Sequence, residues 1–435
     1  MIARLSLLFL FVLAPLVVSA QIIEPDRMRT GSFYSSIGMG APADSYSSYS
    51  HGLGLYGVSV INRTAPSLSN PSHWGFIGIT QAQISAGVTN LSATDGISDA
   101  NNSLVSIDSF QFAFPLKSER LGLSVSFQPL TRSDYTRVEI NEFQPNEFFD
   151  TTTYGVNLVG TGGINRFEMG LGYSFGSTFS IGYAASALIF SQREEAITAF
   201  SDTQFRDSRI VESRTGYSFG HRFGSTLRLT SLLREDDKFV VGSSLSLPVS
   251  IDADQSIRAF RNVNNQTEEV ELNEGSATRS GTVEFPLEFN FGITYHINNV
   301  NSFTTELQFQ NWSSAVYSYS NVHQGYYEDR LKMGVGYQYH AYARPQGVGF
   351  LSSLRYSVGA TYDDGFLSIS GQDIETYMLH AGVAIPSPRS RSSIDLSFNY
   401  GVRGTESQNL VKESIWGFKL SLNLAEFMFI RTRFQ

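Results

Sequence analysis

Cysteine is absent from all 435 residues. This excludes a disulfide framework, a thiolate metal site and a lipid-modified N-terminal cysteine. Charge is scarce as well: Asp, Glu, Lys and Arg make up 16% of the chain, against roughly a quarter in soluble domains. What charge there is leans acidic, with 40 acids to 31 bases and a formal net charge of −9. Phosphate binding needs a basic surface, so no nucleic acid is expected as a partner. Beyond the N-terminus no run reaches the roughly 18 apolar residues of a membrane-crossing helix. The seven histidines (His51, His73, His221, His296, His323, His340 and His380) form no HExxH or other close cluster, and no GxSxG elbow occurs. Zinc hydrolysis and triad chemistry therefore have no support, and neither metal, cofactor nor catalysis is expected.

The N-terminus does carry an apolar run. MIARLSLLFLFVLAPLVVSA has one basic residue, Arg4, an apolar stretch over 5–18 with Ser6 as its one polar residue, and small residues at Ser19 and Ala20. The run is too short and wrongly flanked for a stable span and reads as a signal peptide, residues 1–20, cleaved between Ala20 and Gln21. Residues 21–73 follow, rich in Gly, Ser and Tyr and without a sustained period. Phe33, Tyr34, Ile37, Met39 and Leu53 are too many apolar groups to stay solvated, so this segment is expected to pack against something larger.

From Trp74 onward a period of two dominates. FPLEFNFGITYHI (285–297) sets Leu287, Phe289, Phe291, Ile293 and Tyr295 against Glu288, Asn290, Gly292, Thr294 and His296. RFEMGLGYSF (166–175), LKMGVGYQYH (331–340) and IDLSFNYGVRG (394–404) repeat the pattern. Successive side chains of a strand point to opposite faces, so each run has one greasy face and one polar face. About fifteen such runs occur, centred near 80, 110, 126, 156, 171, 185, 220, 244, 291, 308, 335, 356, 381, 398 and 418. A closed single-chain barrel takes an even number, so the expectation is fourteen strands, with sixteen as the alternative. The polar stretches 191–208 and 252–279 read as long loops, whereas FGST (175–178), REDDK (234–238), HINNVNS (296–302) and PSPRS (386–390) read as tight turns.

A soluble sandwich would bury the greasy face, and a membrane barrel would turn it to lipid. Runs of roughly nine to eleven residues match a tilted strand crossing a bilayer better than the usual soluble strand. Aromatic clusters such as GYQYHAY (336–342) and VYSYS (316–320) suit interfacial girdles. An all-β transmembrane antiparallel barrel over residues 74–435 is expected. Its lumen would hold Glu168, Glu288, His296, Glu306, Lys332, Arg355, Asp395, Arg403 and Lys419 as compensating polar groups, most simply as interior ion pairs.

The stretch SIGMGAPADSYSSYSHGLGLYGVSVINRTAPSLSNPSHW resembles the N-terminal hatch of the FadL family of outer-membrane transporters for long-chain fatty acids and aromatic hydrocarbons. That family has a GxGGA-like segment followed by an Asn-Pro-Ala motif that leads into the first strand. Gly38, Met39, Gly40 and Ala41 match the first, and Asn70, Pro71 and Ser72 the second, with Ser72 in place of Ala and Pro42 added after the first. The C-terminal part is similar to a divergent branch of the same family. The resemblance implies a fourteen-stranded barrel in a Gram-negative outer membrane, with residues 21–73 as a hatch inside the lumen. It further implies passive uptake of hydrophobic small molecules, with Phe33, Tyr34, Ile37 and Met39 as candidate ligand or hatch contacts. Outer-membrane lipid, a hydrophobic ligand and, during biogenesis, the barrel-assembly machinery would be its partners. The alternative is a non-transporting barrel that binds protein, using 191–208 and 252–279 as docking surfaces.

Overall fold

The structure, a computed structural model, describes residues 31–426 apart from 44–46, 63, 145–151, 203, 264–265, 273–276, 321–322, 324, 342–348 and 388–389. The signal-cleavage residues Ala20 and Gln21 lie outside the described residues. The alternating runs become fourteen antiparallel wall strands that close on themselves. We number them β1 (Thr80–Thr94), β2 (Asp99–Lys117), β3 (Leu121–Pro129, resuming at Tyr135–Phe143), β4 (Thr152–Phe175), β5 (Phe179–Phe200), β6 (Ser208–Thr230), β7 (Lys238–Ser246, resuming at Val249–Val263), β8 (Thr278–Phe285, then Glu288–His296), β9 (Asn301–Gln310, then Val316–Tyr317), β10 (Arg330–His340), β11 (Arg355–Asp363), β12 (Thr376–Pro386), β13 (Ser393–Arg403) and β14 (Lys412–Glu426). The ladder from Thr80↔Glu426 to Thr94↔Lys412 joins β1 to β14 and completes the ring. The fifteen runs reduce to fourteen because those near 156 and 171 are one 24-residue strand, β4.

Connections 118–120, 176–178, 231–237, 297–300 and 387–392 lie on the rim that carries the start of β1 and the end of β14. Short turns on one rim mark the periplasmic side of such barrels. The end of β10 at His340 and the start of β11 at Arg355 lie on that rim too, farther apart in the chain. Most of the described residues of 191–208 and 252–279, expected as loops, are strand, with turns left at 201–202 and 204–207. The ladder continues to Tyr154↔Phe200, Thr198↔Ser208 and Val263↔Gln266, so the wall from β4 to β8 rises well above the opposite rim. Cross-strand ion pairs sustain these strands where no greasy face does, among them Arg209–Glu195 at 2.6 Å and Arg258–Glu269 at 2.9 Å.

In the lower wall the pattern is as expected. Leu396, Phe398, Trp416, Phe418 and Leu420 face outward, while Asp395, Ser397, Asn399 and Ser421 are buried inside. The upper wall departs from it. At Leu247 and Pro248 the inward set of β7 switches from Ser244 and Ser246 to Val249, Ile251 and Ala253. At Pro286 the inward set of β8 switches from Val283 and Phe285 to Glu288 and Asn290. An irregular step in a period-two chain exchanges its faces. The upper lumen is therefore apolar, built around Trp312 with Leu188, Phe190, Ile251, Phe285 and Tyr317. Tyr317 thus lies in the interior and not in an outer girdle, the position expected for VYSYS.

The wall also has a seam. The β2–β3 ladder runs only to Phe110↔Phe127, and among the described residues no ladder joins 99–109 of β2 to 135–143 of β3.

Candidate functional site

The described residues of 31–79 pack against inward-facing residues of the wall strands, where glycines make room for their backbone. Glycines stand in one register across four strands: Gly122↔Gly172, Gly172↔Gly182 and Gly182↔Gly224. A Cβ on Gly122 would stand 2.1 Å from the Trp74 carbonyl oxygen, and one on Gly182 would stand 2.2 Å from the Pro71 carbonyl carbon. Across the lumen a Cβ on Gly359 would come within 1.9 Å of the Leu53 oxygen. Glycine in a strand marks such close backbone approach. The glycines form lanes in which the N-terminal backbone rests directly on the wall.

The motif Asn70-Pro71-Ser72 lies on this lane. Asn70 Oδ1 accepts from the Ser72 N–H at 3.0 Å and starts the 3₁₀ turn Pro71–Phe76, with proline at the first position where no N–H is missed. Asn70 Nδ2 donates to the Val58 carbonyl at 2.9 Å and the Ser225 carbonyl of β6 at 3.1 Å. Ser72 and Thr226 share a hydrogen bond of 2.6 Å. The first motif sits higher. Gly38 and Gly40 take positive φ of 60° and 93°, and Met39 between them receives the Thr131 hydroxyl on its carbonyl at 2.8 Å. Ala41 and Pro42 pair with Thr131 and Arg132, which bridge the two halves of β3.

Charged wall residues grip the segment at three places. Glu306 accepts the N–H groups of Gly57 at 2.7 Å and Ser59 at 3.0 Å. Arg222 donates to the carbonyls of Leu68 at 2.7 Å and Ser69 at 3.0 Å, and also to Glu168. Glu413 accepts the Phe33 N–H at 2.7 Å and the Ser32 hydroxyl at 2.8 Å, with Arg403 at 3.5 Å. The remaining expected lumen groups divide. Arg355 lies 4.0 Å above the Tyr49 ring and 3.5 Å from Asp395. Glu288 accepts from Asn290 and Gln310, each at 2.8 Å. Lys419 pairs with Asp108 at 3.1 Å. His296 and Lys332 are half-buried, and Lys332 borders a cavity. Arg222 and Glu413 did not stand out in the sequence. Their signal, a charge at an inward position of a strand, is shared by many residues here.

Tyr34, Ile37 and Met39 are buried in the apolar cluster, and Phe33 packs against its edge. The Tyr34 phenol donates to the Val411 carbonyl. Burial, then the nearby Glu413 carboxylate, pushes its pKa up to about 12, so it stays a donor. Burial, then the Arg228 cation, holds the His73 imidazole down at about 3, so it is neutral under ordinary conditions.

A cavity of about 160 Å³ adjoins the seam, bordered by Asp108, Arg132, Lys332, Arg403 and Lys419 as well as Leu91, Leu104 and Ile415. A second, of about 560 Å³, opens at the lower mouth beside His73, Glu119, Arg228 and Arg391. Neither lies within the apolar cluster.

The fold is similar to that of solved hydrocarbon channels and transporters. A FadL homologue of Pseudomonas aeruginosa aligns at a TM-score of 0.54 and 14% identity, over 88% of this chain and 98% of that one. The CymD monoaromatic hydrocarbon channel also gives 0.54 and 14%, over 92% and 100%. The toluene transporter TbuX of Ralstonia pickettii gives 0.50 and 13%, over 92% and 99%. No curated protein matches. A family model described as BamG matches residues 1–435. This outer-membrane-type barrel, with its N-terminal residues laid along glycine lanes, belongs to the BamG family.

Proposed function

We propose that this chain is a plugged, non-conducting outer-membrane barrel that works as a protein-binding component of the barrel-assembly machinery. The observation that carries this reading is the filled upper lumen. Its apolar wall is already covered by Tyr34, Ile37 and Met39 of the N-terminal plug and by Trp312 and Phe366. Ligand pockets are commonly apolar clefts of roughly 300–1,000 Å³. The space beside the seam is smaller and ringed by charges, and the larger space at the lower mouth is bordered by two arginines, a glutamate and a histidine. The family name BamG supports association with assembly machinery. The tall strands of β4 to β8 supply a surface beyond the membrane for such a partner. Purification in mild detergent tests the proposal: a stoichiometric complex with an assembly barrel is expected, and a protein-free barrel carrying only lipid would overturn it.

A second reading, passive uptake of hydrophobic small molecules, is favoured by the seam between β2 and β3 and by the likeness in fold to hydrocarbon channels. Burial of an alkyl chain would supply about 0.8 kcal/mol per methylene once the plug yielded. Deletion and complemented cells fed labelled fatty acid or alkane should then differ in uptake; equal rates across a panel of solutes would remove this reading.

A further inference from the structure

The lipid-facing wall is not uniform. On β13 and β14 the outward residues at membrane level are Ile394, Leu396, Phe398, Phe418, Leu420 and Leu422, an unbroken hydrocarbon surface. Seven strands away around the ring, β5, β6 and β7 present something different. His221 points outward, paired with Ala185 of β5, and its Nδ1 lies 2.8 Å from the Tyr183 hydroxyl. Two pairs below, Ser225 and Ser243 face the same way and share a hydrogen bond of 2.8 Å. Outward Phe179, Ile181, Phe223 and Leu227 surround them, so both polar pairs sit within the apolar belt and not at its edge. An ionisable side chain at membrane depth is costly and marks a functional surface by default.

The backbone at this level is also unusual. β6 pairs with the lower half of β7 over 222–230 and with the upper half over 208–216. Between them only the Leu247 N–H, at 3.0 Å from the His221 carbonyl, spans the ladder, because β7 steps inward to bury Val249 and Ile251. Tyr217 and Phe219 stand beside this dent, each 72% exposed, against 37–54% for Phe398 and Phe418 on the opposite wall. Small Ala185 and Ala187 lie next to them on β5.

We infer that the outward face of β5, β6 and β7 is a lateral docking surface for the wall of another integral outer-membrane barrel. The occupant must be lipid-embedded, because the face lies in the belt. It must also bring hydrogen-bonding groups: each pair satisfies one group of each member, and among the described residues nothing meets His221 Nε2 or the second hydroxyl hydrogen of the serine pair, which hydrocarbon cannot serve either. A dent flanked by two protruding aromatic rings suits a partner's ridge, with the rings as anchors. The inference rests on the protein-binding reading and supplies it with a site.

Photo-crosslinking in cells tests it. p-Benzoylphenylalanine in place of Tyr217 or Phe219 should yield a discrete protein adduct whose partner peptide maps to a membrane strand of a different outer-membrane barrel. The same probe in place of Phe398 or Phe418 should yield about tenfold less. His221→Leu combined with Ser225→Val keeps the face apolar and should cut the adduct about tenfold, with the heat-dependent gel shift of the folded barrel unchanged. Equal protein adducts on both walls, lipid adducts alone at 217 and 219, or an adduct with a second copy of this chain would each overturn the inference. If a stoichiometric partner still co-purifies in mild detergent, only this surface is wrong; if lipid alone co-purifies, the protein-binding reading falls with it.

Discussion

The two halves of the lumen hold the same N-terminal segment by different physics. In the lower half the wall is polar, and the backbone of the segment rests on glycines while Glu306 and Arg222 grip its N–H and carbonyl groups. In the upper half the wall is apolar, and Tyr34, Ile37 and Met39 are held by packing around Trp312. The lower contact is specific in position and costly to disturb. The upper contact tolerates change in proportion to volume. One segment is thus fixed in register below and sealed against water above.

Substitutions can break that contrast. Gly182→Val places a branched side chain where even a Cβ meets the Pro71 backbone at 2.2 Å. It should cost upwards of about 3 kcal/mol and leave little heat-modifiable barrel on a gel. Arg222→Leu leaves the buried Glu168 with only the longer Arg166 pair at 3.9 Å and frees two carbonyls, and should destabilise by about 3 kcal/mol in a urea titration of the detergent-solubilised protein. Trp312→Ala, the matching change in the upper half, should cost about 3–5 kcal/mol less any collapse of the cluster. Its distinguishing mark is partial rescue by Phe, whereas Lys should not rescue Arg222, because one ammonium cannot reproduce the guanidinium fork.

Acid should act on the lower contact through His73. His73 is held near 3 in the folded chain against 6.5 for a free imidazole. Its folded pKa is lowered, so the stability it contributes is complete above about 6.5 and is lost as pH falls toward 3. His73→Gln should flatten that part of a stability–pH curve, measured by heat-modifiability between pH 7 and pH 4.

Much of this architecture is legible in the residues. The alternation around Phe289 and Phe291, or Phe398 and Tyr400, gives the strands and their lipid-facing side. The polar faces place Glu306 and Arg403 inside. The breaks in β7 and β8 are not legible, because a single extra residue at Leu247 or Pro286 reverses the faces and looks in sequence like ordinary noise in the period. Residues 191–208 read as a loop because charges occupy both faces; only the cross-strand partners, Glu195 with Arg209 for example, reveal a strand. The inward glycines are plainly visible in MGLGYSF and MGVGYQY. Their purpose depends on a segment distant in sequence, and no local pattern announces it.

Glu413 belongs to the strand that zips shut against β1, yet its carboxylate, fully enclosed, accepts the N–H of Phe33 and the hydroxyl of Ser32, near the first of the described residues. The closing strand is thereby tied to a segment 380 residues earlier in the chain. A cylinder closed around an empty interior would leave that buried carboxylate, among the described residues, only Arg403 to answer it, a cost the filled barrel avoids.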